Sequence, residues 1–498
     1  MTIKDKTVVI VGAGIAGLKA ASKLYEEGVK SCVLLEARDR IGGRLHTVKG
    51  YRGRKYDLGG SWHHDTLINR LFAEEANLAL QDGKPRFVFD DDSPIYIDSE
   101  KGHMEHDGYL RLEVILDEFI KYVYLIFNQN LGVPDCSYKE MIHRYIYEKR
   151  EFLTDDQIRY LPQLARFVEL WHGVDWEMLS GRDSVYDSQG RNAFVLHYES
   201  VINRIAQSFP QDWLQLSTPV KSIKRSRGVI VTTDNDEYHC DYAIVTIPQS
   251  VLELSLYAED QPGKIAFEPP LNPRIQEAFG KTHFGSLGKV IFEFEKCTWS
   301  DVTTRVVILS HSSVQLAQQV RSADDWSAFW KAADHHEENI KPWDHPLFFL
   351  NLPRSTGVPS LVVLMQAPLT QYIESLPNKQ LVFEFFEPIL NKFMAAMGCS
   401  QPVINAVDKT DVKPQNVDSP VLEGIIVTNW SSDPYSRGAY TVCFPGDDAI
   451  DMVTAMMNGQ DSRIRFAGEH TILDGAGCAY GAWESGVREA EYIRERIL

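Results

Sequence analysis

Hydrophobic and polar positions near the start of the chain follow a strand–helix–strand pattern. Thr7 to Val11 form a short continuous apolar run, which is typical of a parallel strand buried on both faces. Apolar residues then recur at helical spacing from Ile15 to Tyr25, and Gly28 offers a stop. A second apolar run, from Cys32 to Leu35, ends in Glu36. The pattern predicts a complete βαβ unit.

Three glycines, Gly12, Gly14 and Gly17, lie where the first strand turns into the helix. The first allows the tight turn, the second lets the backbone approach a pyrophosphate, and the third lets helix and strand pack closely. The helix N-terminus offers free N–H groups to the phosphates. Glu36 follows 19 residues after Gly17 and can accept hydrogen bonds from ribose hydroxyls. These features predict a dinucleotide site, the alternative being a Gly-rich turn in an unrelated α/β protein.

Length and composition bound the class of protein. A chain of 498 residues is too long for one hydrophobic core, so we expect two or more domains. Its 44% hydrophobic and 24% charged residues exclude a wholly disordered, collagenous or coiled-coil chain. The net charge of −18 disfavours nucleic acid and anionic lipid as partners and favours a cationic one.

The cysteines and the apolar runs indicate a location. Seven scattered cysteines with no C-x-x-C pair predict reduced thiols. No apolar signal region precedes the first strand, and no run of about 18 apolar residues is present. We therefore expect a cytoplasmic protein without a membrane anchor.

Two further motifs carry a family resemblance. Residues 38–44 read Arg-Asp-Arg-Ile-Gly-Gly-Arg, directly after Glu36, and residues 465–470 read Arg-Phe-Ala-Gly-Glu-His, before a Gly-rich turn and a helix. The sequence here resembles the FAD-dependent amine oxidase family. The resemblance implies that Arg38, Gly43 and Arg44 help to hold the diphosphate. It also implies that Glu469 binds the ribityl–phosphate region, and that the helix following Gly477 points at the flavin pyrimidine, where its N-terminus stabilises negative charge.

The same resemblance fixes the expected fold class. It is α/β, with a discontinuous Rossmann-like FAD-binding domain and a mixed α+β substrate domain. Because both ends of the chain contribute to one site, the chain must leave the cofactor domain and return to it. Strand-like segments at 220–224, 228–233 and 242–246 predict that a middle part of the chain also belongs to the cofactor domain. We expect residues 1–82, 205–285 and 420–498 in the FAD-binding domain and residues 83–204 and 286–419 in the substrate domain. The expected elements of the latter are helical stretches at 109–131 and 324–341 and strands at 289–294 and 361–365.

His63 and His64 lie on a strand-and-turn that resembles the one beneath the flavin in this family. Adjacent residues of an extended chain point to opposite faces, so at most one of the two meets the reacting centre. By position we choose His64, because an imidazole that titrates near neutrality could bind or deprotonate an amine. The alternative is a histidine hydrogen-bonded within a turn.

Lys289 opens a strand in which polar and apolar residues alternate. The alternation alone predicts an exposed lysine. In the family that the chain resembles, a lysine on this strand hydrogen-bonds to flavin N5 through a water and assists reoxidation by O₂. The resemblance therefore implies a catalytic role that the pattern does not.

The substrate side is expected to be aromatic and acidic. Asp91 lies in a triple-Asp loop, which predicts either solvated surface or an anchor for a distal ammonium group. Asn192 lies in a stretch that lines the substrate tunnel in fungal polyamine oxidases. Tyr440 matches one cage tyrosine of the monoamine oxidases, and Cys478 stands where the second would be. Ala439 replaces the thiol that binds flavin covalently in those relatives, so we expect non-covalent FAD.

The resemblance implies roles for the remaining candidate residues as well. Trp62, Trp171 and Cys478 are expected at the substrate. The further cofactor-binding candidates are Gly60, Ser61, Trp62, Val220, Trp430, Tyr435 and Cys478. No metal site is expected.

The compact polyamine oxidases, especially fungal spermine oxidases, are the family members that the chain resembles most. This implies oxidation of spermine or N1-acetylspermine by FAD and then O₂, giving H₂O₂, spermidine and 3-aminopropanal from spermine. A monomer or homodimer is expected. The alternatives are an oxidase of another amine class (a monoamine, an L-amino acid or methyl-lysine) and a non-catalytic FAD-binding scaffold.

Overall fold

The computed structural model describes residues 2–104, 110–130, 132–185, 188–333, 340–399, 403–404 and 420–497. The strands of these residues are, in chain order, β1 (Thr2–Val11), β2 (Cys32–Leu35), β3 (Thr47–Lys49), β4 (Lys55–Asp57), β5 (Trp62–His63), β6 (Phe87–Phe89), β7 (Ile95–Asp98), β8 (Gly102–Met104), β9 (Ala193–Val195), β10 (Leu214–Gln215), β11 (Val220–Arg225), β12 (Val229–Thr233), β13 (Asp236–Val245), β14 (Ala266–Glu268), β15 (His283–Gly285), β16 (Leu287–Phe294), β17 (Arg305–Ile308), β18 (Leu347–Asn351), β19 (Ser360–Gln366), β20 (Val403–Ile404), β21 (Val421–Val427), β22 (Tyr440–Val442) and β23 (Ile464–Phe466).

The helices surround these strands. They are α1 (Ile15–Glu26), α2 (Arg70–Asp82), α3 (Leu112–Gln129), α4 (Tyr138–Lys149), α5 (Asp155–Ala165), α6 (Glu169–His172), α7 (Tyr198–Ala206), α8 (Gln249–Leu252), α9 (Pro273–Ala278), α10 (Leu316–Ser322), α11 (Trp326–Ala333), α12 (Leu352–Thr356), α13 (Leu369–Ser375), α14 (Lys379–Ala396), α15 (Ala449–Asn458) and α16 (Ala479–Ile497). In the described part of the chain, no helix combines the length and apolar character needed to cross a membrane.

The first large sheet unites the two ends of the chain with its middle. Its strand order is β10-β2-β1-β13-β12-β11-β14, and β23 pairs with β13. β1 runs parallel to both β2 and β13, and β23 also runs parallel to β13. The carboxyl ends of these strands therefore meet at one edge, which is where open α/β sheets bind ligands.

The C-terminal helix packs against the N-terminal helix. Leu18 and Ala21 of α1 share one buried cluster with Trp483 and Ala490 of α16. Gly486 allows this close approach, because a Cβ there would overlap the carbonyl oxygen of Ala16. Both helix N-termini are consequently held at the same side of the sheet.

A second large sheet is built from β16 to β21 together with β7 and β8. Its strand order is β20-β21-β16-β19-β18-β17-β7-β8, with β16 antiparallel to both of its neighbours. Phe386 and Phe393 of α14 join Phe292 and Val363 of the sheet in one buried cluster. A separate core joins α3, α4 and α5. The predicted α/β class with a mixed α+β part is confirmed, while the predicted domain boundaries remain a prediction.

Some predicted element bounds are wrong. The first strand starts at Thr2 rather than Thr7, because residues 2–6 pair with residues 236–240. The strand predicted at 242–246 likewise starts at Asp236. Of the helical stretch predicted at 324–341, residues 326–333 are α11 and residues 334–339 lie outside the described residues. Residues 109 and 131, the ends of the other predicted stretch, also lie outside them.

Candidate active site

The glycine turn before α1 leaves open space on one side. Gly12 has φ +102°, a backbone conformation that glycine adopts without strain. A Cβ on Gly17 would overlap the carbonyl oxygen of Gly12, so the helix packs directly on the turn. A Cβ on Gly14, by contrast, would meet no atom within 4 Å. The turn therefore has the shape of a phosphate cradle, with the open side at Gly14.

Glu36 stands at the carboxyl end of β2 beside this turn. Its carboxylate accepts hydrogen bonds from the backbone N–H of Ala13 at 2.7 Å and of Arg38 at 2.9 Å. These two bonds fix the carboxylate at the edge of the cavity, where it can meet ribose hydroxyls. The Arg38 guanidinium donates a hydrogen bond to Asp433 Oδ1 at 2.5 Å, and it lies 5.2 Å from the centre of the Tyr435 ring.

The C-terminal motif forms the other half of the site. Glu469 Oε1 lies 3.1 Å from the Arg44 guanidinium, and Glu469 Oε2 accepts bonds from Thr441 Oγ1 at 2.7 Å and Gly477 N at 3.1 Å. Burial acts to raise the pKa of Glu469, but Arg44 and the hydrogen bonds outweigh it, so the pKa lies below its usual value. The carboxylate is charged and holds Arg44 and the turn before α16 together.

Lys289 is buried, with 3% of its surface exposed. Its Nζ donates to the carbonyls of Asp57 at 2.8 Å and Gly59 at 2.6 Å and to Ser61 Oγ at 2.6 Å. Burial lowers its pKa to about 8, against a smaller raising effect of Asp57. The exposed lysine predicted from alternation is wrong, because β16 is covered on both faces and its polar positions face the segment 50–61.

The two histidines face different surroundings. His63 is buried between Phe72 and Tyr198, and burial lowers its pKa to about 3. His64 lines the same large cavity as Glu36 and Lys289, and its Nδ1 lies 3.1 Å from Asn192 Oδ1. Burial lowers the pKa of His64, and the Asn192 hydrogen bond opposes this. The imidazole of His64 is therefore neutral at neutral pH.

One cavity of about 1260 Å³ joins these groups. It is larger than the ~300–1,000 Å³ typical of a site for one small ligand, so it has room for a large cofactor and a substrate. It brings together the predicted residues Gly12, Gly14, Glu36, Arg38, Gly43, Arg44, Gly60, Ser61, Trp62, His64, Trp171, Asn192, Val220, Lys289, Trp430, Tyr435, Tyr440, Glu469, Gly477 and Cys478. Gly17 and Asp91 are the two predicted residues that do not line it.

Aromatic side chains form the wall of the cavity on the substrate side. The Tyr440 hydroxyl donates to the backbone carbonyl of Trp171 at 2.8 Å, which ties β22 to α6. Trp62 donates from its indole to Asp90 at 3.1 Å. Cys478 lies at the cavity, and burial raises the pKa of its thiol to about 12, so it is a neutral thiol.

Asp91 does not line the cavity. Its carboxylate forms a two-point ion pair with Arg191, at 2.5 and 2.7 Å, and this guanidinium also covers the Phe89 ring at 3.8 Å. Arg191 comes first among the causes that lower the pKa of Asp91. The structure therefore does not bring Asp91 together with the other predicted substrate residues.

A buried ionic cluster lies behind the Trp171 wall. Arg166 Nε donates to Glu169 at 2.6 Å, its guanidinium lies 3.4 Å from Asp175, and His345 lies 3.3 Å from Asp175. Burial raises the pKa of Glu169 to about 8. The acids and the imidazole are close enough together for a metal ion, but the guanidinium already lies among them. The cluster is best described as an ion-pair network that holds the start of α6.

Sequence reasoning missed three residues of the site. Thr441 donates a hydrogen bond to Glu469, and the only feature of the sequence that indicates it is its position next to Tyr440. His172 lines the cavity next to Trp171, and burial lowers its pKa to about 4. Asp183 lines the cavity together with Ser184 and Val185. His172 lies at the end of a helix and Asp183 in a polar loop, and no sequence motif distinguishes either residue from its neighbours.

Comparison with known proteins agrees with this geometry. The profile of the family described as "Flavin containing amine oxidoreductase" matches residues 15–494. The chain therefore belongs to the flavin-containing amine oxidoreductases. Its cofactor is FAD, as predicted, and the residues fit it: the turn is open at Gly14, Glu36 stands beside it, and the turn at Gly477 meets the same cavity.

Individual relatives extend the comparison. The chain is 34% identical to the "Corticosteroid-binding protein" of Candida albicans over 518 residues, covering 99% of this chain and 97% of that protein. It is 26% identical to "Polyamine oxidase 4" of Oryza sativa subsp. japonica, covering 99% and 89%. A redesigned putrescine oxidase has the same fold, with a TM-score of 0.66, 18% identity and coverage of 99% and 100%.

A substitution of His64 tests its place at the reacting centre. We expect His64→Gln to change the acid limb of the pH profile of anaerobic flavin reduction by saturating amine. Because the pKa of His64 lies below its ordinary value of 6.5, the change should fall below that pH rather than above it. The measurement is stopped-flow reduction across the acid range.

His63→Gln is the matched control, since His63 is buried outside the cavity. It should leave the pH profile unchanged. Superimposable profiles for His64→Gln and the unmodified protein would make His64 a structural residue.

Proposed function

We propose that this flavin amine oxidase acts on polyamines, with spermine or N1-acetylspermine as substrate. The observation that carries the proposal is the single cavity, which joins the flavin-binding residues to an aromatic wall formed by Trp62, Trp171 and Tyr440. The net charge of −18 favours a cationic substrate, and a relative of nearly the same length is named a polyamine oxidase.

The reaction removes two electrons from a C–N unit. FAD held by the turn at Gly14, Glu36 and the Glu469 motif would supply an acceptor for the hydride of the carbon beside nitrogen and a route for the two electrons to O₂, which with two protons gives H₂O₂. The iminium left on the substrate takes up water and splits into an aldehyde and a shorter amine, which are 3-aminopropanal and spermidine when spermine is oxidised at the expected bond.

The chain's own residues prepare the amine for this reaction. In a protonated amine the nitrogen lone pair is used in the N–H bond and cannot assist loss of hydride. Free amines resemble lysine, whose pKa is about 10.4, so they are mostly protonated at neutral pH. The apolar walls of the cavity disfavour the ammonium form. The neutral imidazole of His64 can accept the proton of the reacting amine, and Asn192 orients the ring through its 3.1 Å contact.

Lys289 brings a buried amino group to the same cavity. Its Nζ lies among Asp57, Gly59 and Ser61, and Ser61 also lines the cavity. A cation held there without solvent stabilises negative charge that develops on oxygen during its reduction. We therefore assign Lys289 to the oxygen half of the reaction.

The function is tested by H₂O₂ formation from purified holoenzyme. We expect rapid peroxide release with spermine or N1-acetylspermine and little with benzylamine, an aromatic monoamine that has no second amino group. If the enzyme prefers benzylamine, an L-amino acid or a methyl-lysine peptide, its substrate belongs to that amine class and not to the polyamines. A flavin that no amine reduces under anaerobic conditions would identify a non-catalytic scaffold.

A second candidate function is steroid binding in the same cavity. The outer wall is apolar, with Leu116, Ile120, Leu164 and Val168, and the 34% identical Candida relative is named for binding corticosteroids. A flat apolar ligand there would exclude the amine. A corticosteroid that inhibits spermine oxidation competitively would support this function, and oxidation that no corticosteroid changes up to its solubility limit would remove it.

A further inference from the structure

The cavity carries few acidic groups, and one of them stands apart. Its carboxylates are those of Glu36, Asp65, Asp183, Asp260 and Glu469. Glu36 and Glu469 belong to the cofactor half, Asp65 accepts from the Tyr480 hydroxyl at 2.9 Å, and Asp260 lies on an exposed loop. Asp183 is thus the one carboxylate lining the helical, substrate-side wall among the residues that the structure describes.

Asp183 is poorly compensated. Its Oδ2 lies 3.1 Å from Ser180 Oγ, but the same hydroxyl lies 2.7 Å from Asp135 Oδ2. A hydroxyl has one proton, so it serves only one of these carboxylates at a time. Asp135 also accepts the backbone N–H groups of Arg182 at 3.1 Å and Gly446 at 3.0 Å. The hydroxyl lies closer to Asp135, so Asp183 receives the weaker share of its proton, and a further partner of the Asp183 carboxylate is the Cys443 thiol.

No described lysine or arginine forms an ion pair with Asp183. The nearest candidate along the chain is Arg182, but its guanidinium donates to the carbonyl of Val133 at 3.3 Å and lies 5.5 Å from the Phe127 ring. Burial is the largest cause that raises the pKa of Asp183, and the negative charge of Asp135 adds to it. The hydrogen bonds of Ser180 and Cys443 and the charge of Arg182 oppose these two effects only in part. A half-buried carboxylate in this state gains from any cation that enters the cavity.

The position of Asp183 suits a second amine of a long substrate. Its side chain contacts Cys443, which follows β22 directly, and Tyr440 begins that strand. Asp183 and Tyr440 line the same cavity, so one extended ligand can contact both.

We propose that Asp183 binds a distal ammonium group of a polyamine whose reacting C–N bond lies at Tyr440 and His64. The inference rests on the proposed polyamine function and names the residue that selects the long cationic substrate. Asp183 takes the role that the sequence assigned to Asp91, whose charge is already paired with Arg191.

The test compares two substrates in two variants. One substrate is spermine, and the other is the triamine analogue of the same length in which a methyl group replaces the terminal amino group farthest from the reacting bond. Asp183→Asn should raise the KM for spermine by roughly 10- to 100-fold, the loss of one charge-assisted hydrogen bond. It should leave the kcat for spermine and the KM for the analogue within about twofold. Asp91→Asn is the matched variant at the other candidate carboxylate, and it should leave the KM for spermine nearly unchanged.

The outcomes separate this inference from the function on which it rests. A large loss of spermine affinity in Asp91→Asn but not in Asp183→Asn would overturn it, as would an equal effect on both substrates. If the unmodified enzyme oxidises neither substrate, the polyamine function fails instead. Should Asp183→Asn not fold, Asp183→Glu keeps the charge, and it must retain the preference for spermine over the analogue.

Discussion

Gly14→Ala is expected to abolish FAD binding while leaving the protein folded. Gly14 has φ −71° and ψ 177°, which alanine adopts without strain, and the added Cβ meets no protein atom within 4 Å. The methyl group instead fills the open side of the turn, where the backbone must approach the pyrophosphate. We expect purified Gly14→Ala to contain less than a tenth of the flavin of the unmodified protein, by absorbance, with an unchanged far-ultraviolet circular dichroism spectrum.

Gly17→Ala is the matched comparison. Its Cβ would overlap the Gly12 carbonyl oxygen, so we expect it to destabilise the protein itself, by about 1–3 kcal/mol for an overpacked contact. Flavin loss in Gly17→Ala should therefore be accompanied by a lower Tm of the flavin-free protein. Normal flavin content in Gly14→Ala would mean that the phosphates do not lie against this turn.

Lys289→Met is expected to slow the reaction of the reduced enzyme with O₂ by about 100-fold or more, because removal of one preorganised charge-stabilising group typically costs this much. Methionine has a similar length and no charge. Reduction by amine under anaerobic conditions should change far less, since the proposed role lies in the oxygen half of the reaction. Stopped-flow measurement of the two halves separately gives both rates.

Lys55→Met controls for the loss of a positive charge nearby. Lys55 is partly exposed and pairs with Glu199 at 2.5 Å, and it lies in the same segment that Lys289 contacts. Its oxygen reaction should match that of the unmodified enzyme. An unchanged oxygen rate in Lys289→Met, or an equal slowing of both halves, would remove Lys289 from the assigned role.

The cofactor half could be predicted from the sequence because its chemistry is local. Gly12, Gly14 and Gly17 act through backbone geometry at fixed spacing, and Glu36 ends the strand that the apolar run predicts. The C-terminal motif around Glu469 is equally compact. Strand pairing then brings the two motifs together, since β1 and β23 both run parallel to β13.

Lys289 shows why local pattern fails for other residues. Alternation identifies the two faces of a strand but not what covers them, and here the segment 50–61 covers the face that the pattern assigned to solvent. Burial is tolerated because two carbonyls and one hydroxyl receive the ammonium group. Only the resemblance to a family indicated a buried lysine.

The proposed assignment of the distal ammonium site to Asp183 instead of Asp91 has a similar basis. Asp91 stands out in the sequence because it lies in a run of three acids, yet Arg191, 100 residues away, neutralises it. Asp183 is inconspicuous in sequence, and its location depends on how the loop after α6 meets Cys443. Pairings over such separations are set by tertiary structure, which a one-dimensional pattern does not contain.

The central claim is that both ends of the chain build one flavin site whose reactive face opens into a channel for polyamines. Anaerobic addition of spermine to the purified holoenzyme, followed by visible absorbance, tests it most directly. We predict that the oxidised flavin band is present at the start, is lost on addition of spermine, and returns when air is admitted. A protein without that band after reconstitution with FAD, or a band that spermine leaves unchanged, would contradict the account.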